Sequence, residues 1–169
     1  MSIFSTINQR FIKGKIAARE SSVISLKKPI EYLKILVITN QKDETLINET
    51  KIAFPNAEIN ALYLRKEKED NSQQFNYTVH PSDFNLTGRV KNEKLNKLLF
   101  MGFDMVIDLS DDSVYLKFIL AQIKSTLVLG KIGEHEYQLH DLFFDAEKIN
   151  ADFIKTVVKQ LNVLTKNEK

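Results

Sequence analysis

One stretch limits the fold more than any other: Phe103-Asp104-Met105-Val106-Ile107-Asp108-Leu109-Ser110-Asp111-Asp112-Ser113, an apolar β run that ends in carboxylates and hydroxyls before an apolar helix. Such a strand-to-helix turn belongs to open α/β sheets, where ligands sit outside the carboxyl ends of the strands. Any small-molecule site is therefore to be sought beside Asp108 and Ser110. A second run, Ile35-Leu36-Val37-Ile38, is continuously apolar, as required of a strand covered on both faces, so helices must flank it.

The rest of the chain reads as alternating strands and helices. Asp43 is placed to cap a helix reaching Phe54, Pro55-Asn56 ends it, and Glu58 to Leu64 completes a parallel β-α-β unit. Arg65 to Gln74 is a run of polar residues read as a solvated loop, too short for a helix between two strands. Phe75 to His80 is accordingly expected to return antiparallel at a sheet edge. A helix over Val90 to Phe100 ended by Gly102, a strand at 104–109, a helix from about Asp112 to Lys124, and strands at 126–132 and 137–144 follow. Ala146 to Lys166, capped by Asp145, has the clearest helical periodicity, with Ile149, Phe153, Val157, Leu161 and Leu164 on one stripe.

The expected fold is a three-layer α/β domain, Rossmann-like or flavodoxin-like, with a mostly parallel sheet and an antiparallel edge strand. One domain spans 30–166, preceded by a basic amphipathic helix over 1–20. That helix carries Arg10, Lys13, Lys15 and Arg19 with no acid before Glu20, and sets Ile3, Phe4, Ile7, Phe11, Ile12 and Ile16 at helical spacing. Three uses are open to it: docking on the protein's own body or on a partner, peripheral membrane contact through residues 1–19, or a cleaved address.

A chain of 169 residues can bury a core without staples, and the absence of cysteine removes thiol catalysis, thiolate metal sites and disulfides together. That composition suits a cytoplasmic location. With 24 basic and 22 acidic residues the net charge of +2 gives no bulk field to attract nucleic acid. The apolar run from Val114 to Ile123 is broken by Lys117 and Gln122 and falls short of the roughly 20 residues of a membrane span, so no transmembrane segment is expected.

Catalytic patterns are missing from the sequence. No serine sits in a Gly-x-Ser-x-Gly elbow, and Gly14, Gly88, Gly102, Gly130 and Gly133 form no phosphate-binding loop. After the first strand, where a dinucleotide fold places its glycines, the chain reads Thr39-Asn40-Gln41-Lys42-Asp43, so no cofactor is expected. The group Asp108, Ser110, Asp111, Asp112 and Ser113 suits a cation or a substrate hydroxyl, yet helix capping explains all of it except Asp108. Glu134, His135 and Glu136 with His140 and Asp141 have metal-ligating side chains, but strand alternation sends them in different directions. A solvated turn is the expected reading and no metal site is assigned. His80, before Pro81, reads as structural or exposed.

Two resemblances complete the reading. Ser82-Asp83-Phe84-Asn85-Leu86-Thr87-Gly88-Arg89-Val90-Lys91, with Phe103 to Asp108, Leu127-Val128-Leu129-Gly130 and His140-Asp141-Leu142, resembles a family of small bacterial proteins without an assigned activity. Residues 103–132 resemble the amino-terminal half of heptosyltransferase-like glycosyltransferases, in which a Phe-Asp-x-Val-Ile-Asp-Leu strand leads into an apolar helix and a strand ending in glycine. The first resemblance implies a fold and a lineage; the second covers an amino-terminal half only, without the second domain that would bind the sugar nucleotide. The functional expectation is a non-catalytic binding or interaction module, with an unidentified protein partner or self-association. The alternative is a small enzyme or nucleotide-sugar binder using Thr39, Asn40, Asp108, Ser110 and Asp111, with Asp108 as base or cation ligand.

Overall fold

The structure is a computed structural model that describes residues 9–16, 26–40, 43–64, 76–111, 113–131, 139–144 and 151–166. Its centre is a six-stranded sheet: β1 (Lys34–Thr39), β2 (Glu58–Leu64), β3 (Tyr77–Val79), β4 (Gly102–Leu109), β5 (Lys124–Lys131) and β6 (Leu142–Phe144), in the order β3-β2-β1-β4-β5-β6. Between them lie α1 (Glu44–Ala53), α2 (Glu93–Phe100) and α3 (Val114–Gln122), and α4 (Ala151–Leu164) follows the sheet. This is the Rossmann order rather than the flavodoxin one, and the chain reverses its direction of travel across the sheet between β1 and β4.

Every neighbouring pair of strands is parallel. The antiparallel return expected at 75–80 is therefore corrected: β3 lies parallel to β2, with Leu62 opposite Tyr77. A connection of about a dozen residues is already long enough for a parallel crossover, whether or not it is helical. Residues 65–75 lie outside the described part of that connection. One step before β3, the Asn76 side chain accepts the Ala61 backbone N–H at 3.2 Å and prolongs the ladder with an amide in place of a peptide carbonyl.

Strand alternation sorts the core into two layers. Even-numbered positions such as Leu36, Ile38, Val106 and Val128 pack with Leu95 and Leu98 of α2 and with Leu116 and Ile119 of α3. Odd-numbered positions such as Ile35, Val37, Ile107 and Leu129 pack with Leu46 and Ile47 of α1 and with Phe153, Val157 and Leu161 of α4. The central strands are hydrophobic on both faces because both faces are covered.

Helix ends follow local chemistry. Asp43 accepts the Leu46 N–H at 3.1 Å, as its position predicts. The second helix starts later than Val90: Asn92 caps it through Lys94 and Leu95, while Val90 pairs across a short antiparallel bridge with Phe84. Gly102 opens β4 instead of closing the helix, which ends at Met101 with its N–H on the Leu98 carbonyl. The strand expected over 137–144 is described only as Leu142–Phe144, and the expected Asp145 cap lies outside the described residues.

Near the amino end, residues 9–13 are helical and residues 9–16 are described. Ile12 is fully buried and Ile16 nearly so, both in the α2/α3 layer, whereas Phe11 is exposed. Gly88 explains how the chain comes so close. It has a φ of +69°, and a Cβ there would stand 2.9 Å from Ile12 Cγ1, so glycine serves both the left-handed turn and the contact. Lys15 donates from Nζ to the Thr87 carbonyl beside it. Of the uses open to this segment, contact with the protein's own body is what residues 9–16 display.

Candidate functional site: a closed polar cluster at the strand tips

Asp108 is the last even-numbered residue of β4 and faces the α3 layer, opposite Ile38 of β1 and Gly130 of β5. It is 2% exposed. Its Oδ1 accepts the Ser110 N–H at 3.0 Å and the Ser110 hydroxyl at 2.5 Å, a local turn closed by the carboxylate. Its Oδ2 accepts Lys117 Nζ at 2.8 Å and His140 Nε2–H at 2.8 Å. A carboxylate offers about four acceptor positions, and the protein's own donors fill them.

Each donor is delivered by the fold. The chain leaves β4, turns at Ser110 and enters α3, where the Ser113 hydroxyl accepts the Leu116 N–H at 3.5 Å. Lys117, in the first turn of that helix, reaches back to the strand tip with its side chain only 5% exposed. His140 arrives from the far side of β5, clamped by its neighbour: the Asp141 N–H donates to the Val128 carbonyl at 2.8 Å, and Asp141 Oδ2 accepts the Val128 N–H at 2.6 Å. The imidazole then lies across Gly130. A Cβ at position 130 would stand 2.5 Å from His140 Cδ2 and 2.9 Å from Cγ and Nε2. The Phe143 ring, 5.3 Å from the imidazole between centroids, flanks it.

Burial pushes the Asp108 carboxyl up, since charge is costly away from water. The His140 hydrogen bond, the Lys117 charge and the further contributions of both partners outweigh it, and the pKa is lowered to about 2. Asp108 is thus ionised at neutral pH and too weak a base to take a proton there. A group whose folded pKa is depressed contributes stability above its unfolded value near 3.8 that is lost as pH falls through the folded one. Wild type is therefore expected to lose roughly 2 kcal/mol more than Asp108→Asn between about pH 4 and pH 2, measured by urea unfolding at each pH.

The five residues expected to form a ligand site are only partly brought together. Asp108 and Ser110 bond each other and are buried. Thr39 is buried but faces the opposite layer, one residue out of phase with Ile38. Asn40 continues β1 beside Ser110, and its side-chain oxygen is buried without a hydrogen-bond partner among the described residues. Asp111 stands on the rim, its side chain 66% exposed, in an ion pair with Lys131 at 3.2 Å. His140 is not in a solvated turn: its side chain is 1% exposed. No cluster of metal-ligating groups occurs among the described residues, and positions 134–136 fall outside them. His80 is structural, its Nδ1 accepting the Ser82 N–H at 3.1 Å.

Lys117 is the participant that residue-by-residue reading misses. The signal is nevertheless present: one lysine within a helix that is apolar on most sides must find a buried acid or reach water, and the nearest preceding strand-tip acid is Asp108.

Strand order and site together define a doubly wound parallel α/β domain whose switch point carries a saturated, buried Asp-Lys-His cluster. Residues 5–164 match the model of a family of unknown function (DUF6913), and the chain belongs to that family. No curated protein and no solved structure matches it. Nothing in these comparisons supports the likeness of residues 103–132 to heptosyltransferase-like enzymes or a bacterial origin. Among the described residues no helix is long and apolar enough to cross a membrane.

Proposed function

We propose that this domain is a non-catalytic binding module that works through a protein partner. The observation that carries the reading is the saturation of Asp108: the one strand-tip carboxylate that capping leaves unexplained spends its acceptor capacity on Ser110, Lys117 and His140. A base or cation ligand needs a lone pair facing the ligand, and a group held near pKa 2 is poorly matched to proton transfer at neutral pH. The polar cluster then serves to lock β4, α3 and the entry to β6 into one rigid frame, with binding left to the outer surfaces. The cysteine-free composition fits a reducing compartment, and a cytoplasmic location is part of the proposal.

A second reading is favoured by the strand order, because the crevice between β1 and β4 is where doubly wound sheets take small ligands. Thr39, Asn40, Asp108, Ser110 and Asp111 would line or support it, with a nucleotide sugar or similar molecule as ligand. Thermal unfolding with nucleotides, nucleotide sugars and divalent cations separates the two. Ligands at a hundred times their Kd add about 2.7 kcal/mol, which moves the Tm of a domain of this size by several degrees. The interaction module is expected to show no saturable shift with any of them; a saturable rise that Asn40→Ala abolishes would instead establish the crevice as a ligand site.

A further inference from the structure

On the opposite layer from the polar cluster, α1 and α4 line a groove of about 560 Å³. Its floor and walls are apolar, formed by Ala53, Ile154, Val158, Ile52 and Val163. Ile52 is 72% exposed and Val163 53%, so two large aliphatic side chains stand in water at its edge. Lys155 and Lys159 of α4, and Lys166 just past its end, rim it, against one carboxylate, Glu49, from α1. Lys155 also pairs with Asp152 at 3.2 Å, a contact exposed on both sides and correspondingly weak.

We infer that this groove receives an acidic amphipathic helix of a protein partner, an inference that rests on the interaction reading above and names its surface. The chemistry selects the occupant. Lys155 and Lys159 lie one turn apart on α4, about 6 Å along its axis, and Lys166 continues the row two residues past its end. One carboxylate or phosphate head group would answer a single lysine, whereas acids repeated along a helix answer all three. A second copy of this chain would set the lysine rims against each other, a like-charge arrangement that costs affinity. A flat lipid surface does not fill a furrow between two helices. A helix of about three turns does, with apolar side chains at i, i+4 and i+7 seated between Ile52 and Val158, as in other helix-in-groove complexes.

The test titrates the isotopically labelled full chain with a roughly 15-residue helical peptide carrying leucine on one stripe and glutamate on the flanks. Saturable amide shifts centred on Ile52, Val158 and Lys159 are expected. Ile52→Glu, and separately Lys159→Glu with Lys166→Glu, should each weaken binding by about tenfold or more. All three positions are exposed, and retained dispersion of the amide spectrum verifies the fold of each variant. The inference is overturned if no saturation occurs, if charge reversal leaves affinity unchanged, or if a peptide with lysine for glutamate binds as well. It is also overturned if phosphatidylserine/phosphatidylcholine vesicles shift these amides and the peptide does not, or if the chain proves dimeric through this groove and Ile52→Glu renders it monomeric. Each of these leaves the interaction reading standing, since that reading falls only to a saturable small-molecule shift in the thermal series.

Discussion

Asp108→Ala is expected to destabilise the domain by about 3–5 kcal/mol, the largest effect of any single truncation at the strand tips. The cost comes less from the bonds removed than from the donors left behind. Lys117 Nζ and His140 Nε2–H remain in a pocket where their side chains are 5% and 1% exposed, with no acceptor in place of Oδ2. An uncompensated buried ammonium is far more expensive than an unmade neutral hydrogen bond. Urea unfolding measures the loss, and a second variant tests its cause. Asp108→Asn combined with Lys117→Met removes both charges, keeps an acceptor for His140 and fills the same space. It should regain most of the stability, because a buried ion pair can often be exchanged for neutral groups of similar volume at little cost. A double variant as unstable as Asp108→Ala would show that the carboxylate is needed for something other than balancing Lys117.

The second large effect is expected at Gly130. Gly130→Ala places a methyl group 2.5 Å from His140 Cδ2 and 2.9 Å from Cγ, so the ring rather than a flexible tip must give way. The ring has little room to do so, held by Asp108 at one end and followed by Asp141 clamped onto Val128 at the other. Overpacking of this kind costs about 1–3 kcal/mol, and a ring that moves also forfeits its charge-assisted bond to Asp108, for a total of about 3 kcal/mol. The two sites are in contact and must be non-additive. In a His140→Ala background the same glycine substitution should cost almost nothing, because the atoms it strikes are gone. Equal costs in both backgrounds would mean that position 130 is sensitive for a reason other than the imidazole.

These two positions also mark how far the sequence carries. β1 and β4 are legible because short apolar runs, Ile35 to Ile38 and Met105 to Ile107, end in polar turn residues, as strands covered on both faces do. The first helix is legible from Asp43 and Pro55, which act within one turn. What local pattern does not contain is partner choice across the sheet. Ten polar residues after Leu64 look like a hairpin loop or a crossover equally well, and the parallel placement of β3 depends on where the chain lands, not on its composition. The same holds for the site. Asp108 is conspicuous because it stands at a strand end and capping does not use it. Its role depends on Lys117, nine residues on, and on His140, thirty-two residues on, and no spacing rule links the three. Gly130 is visible as a glycine in a strand, a known sign of close approach. Only register puts it opposite Asp108 and under the ring of His140.

The groove between α1 and α4 shows the complementary gap. Periodicity places Phe153, Val157 and Leu161 on the buried stripe of α4, and the structure buries them there. Exposed Val163 and the lysines beside it become a surface only when α1 brings Ile52 alongside.

The most direct measurement of whether the strand tips are closed machinery-free structure is the titration of the Asp108 side-chain carboxyl carbon, followed by NMR with Asp108→Asn as the assignment control. A saturated carboxylate should hold its ionised shift through the neutral and mildly acidic range and titrate only near pH 2, alongside acid unfolding. A midpoint near neutrality would mean a proton-exchanging group with open access, as catalytic acids and bases require, and would contradict the reading of this cluster as a structural lock.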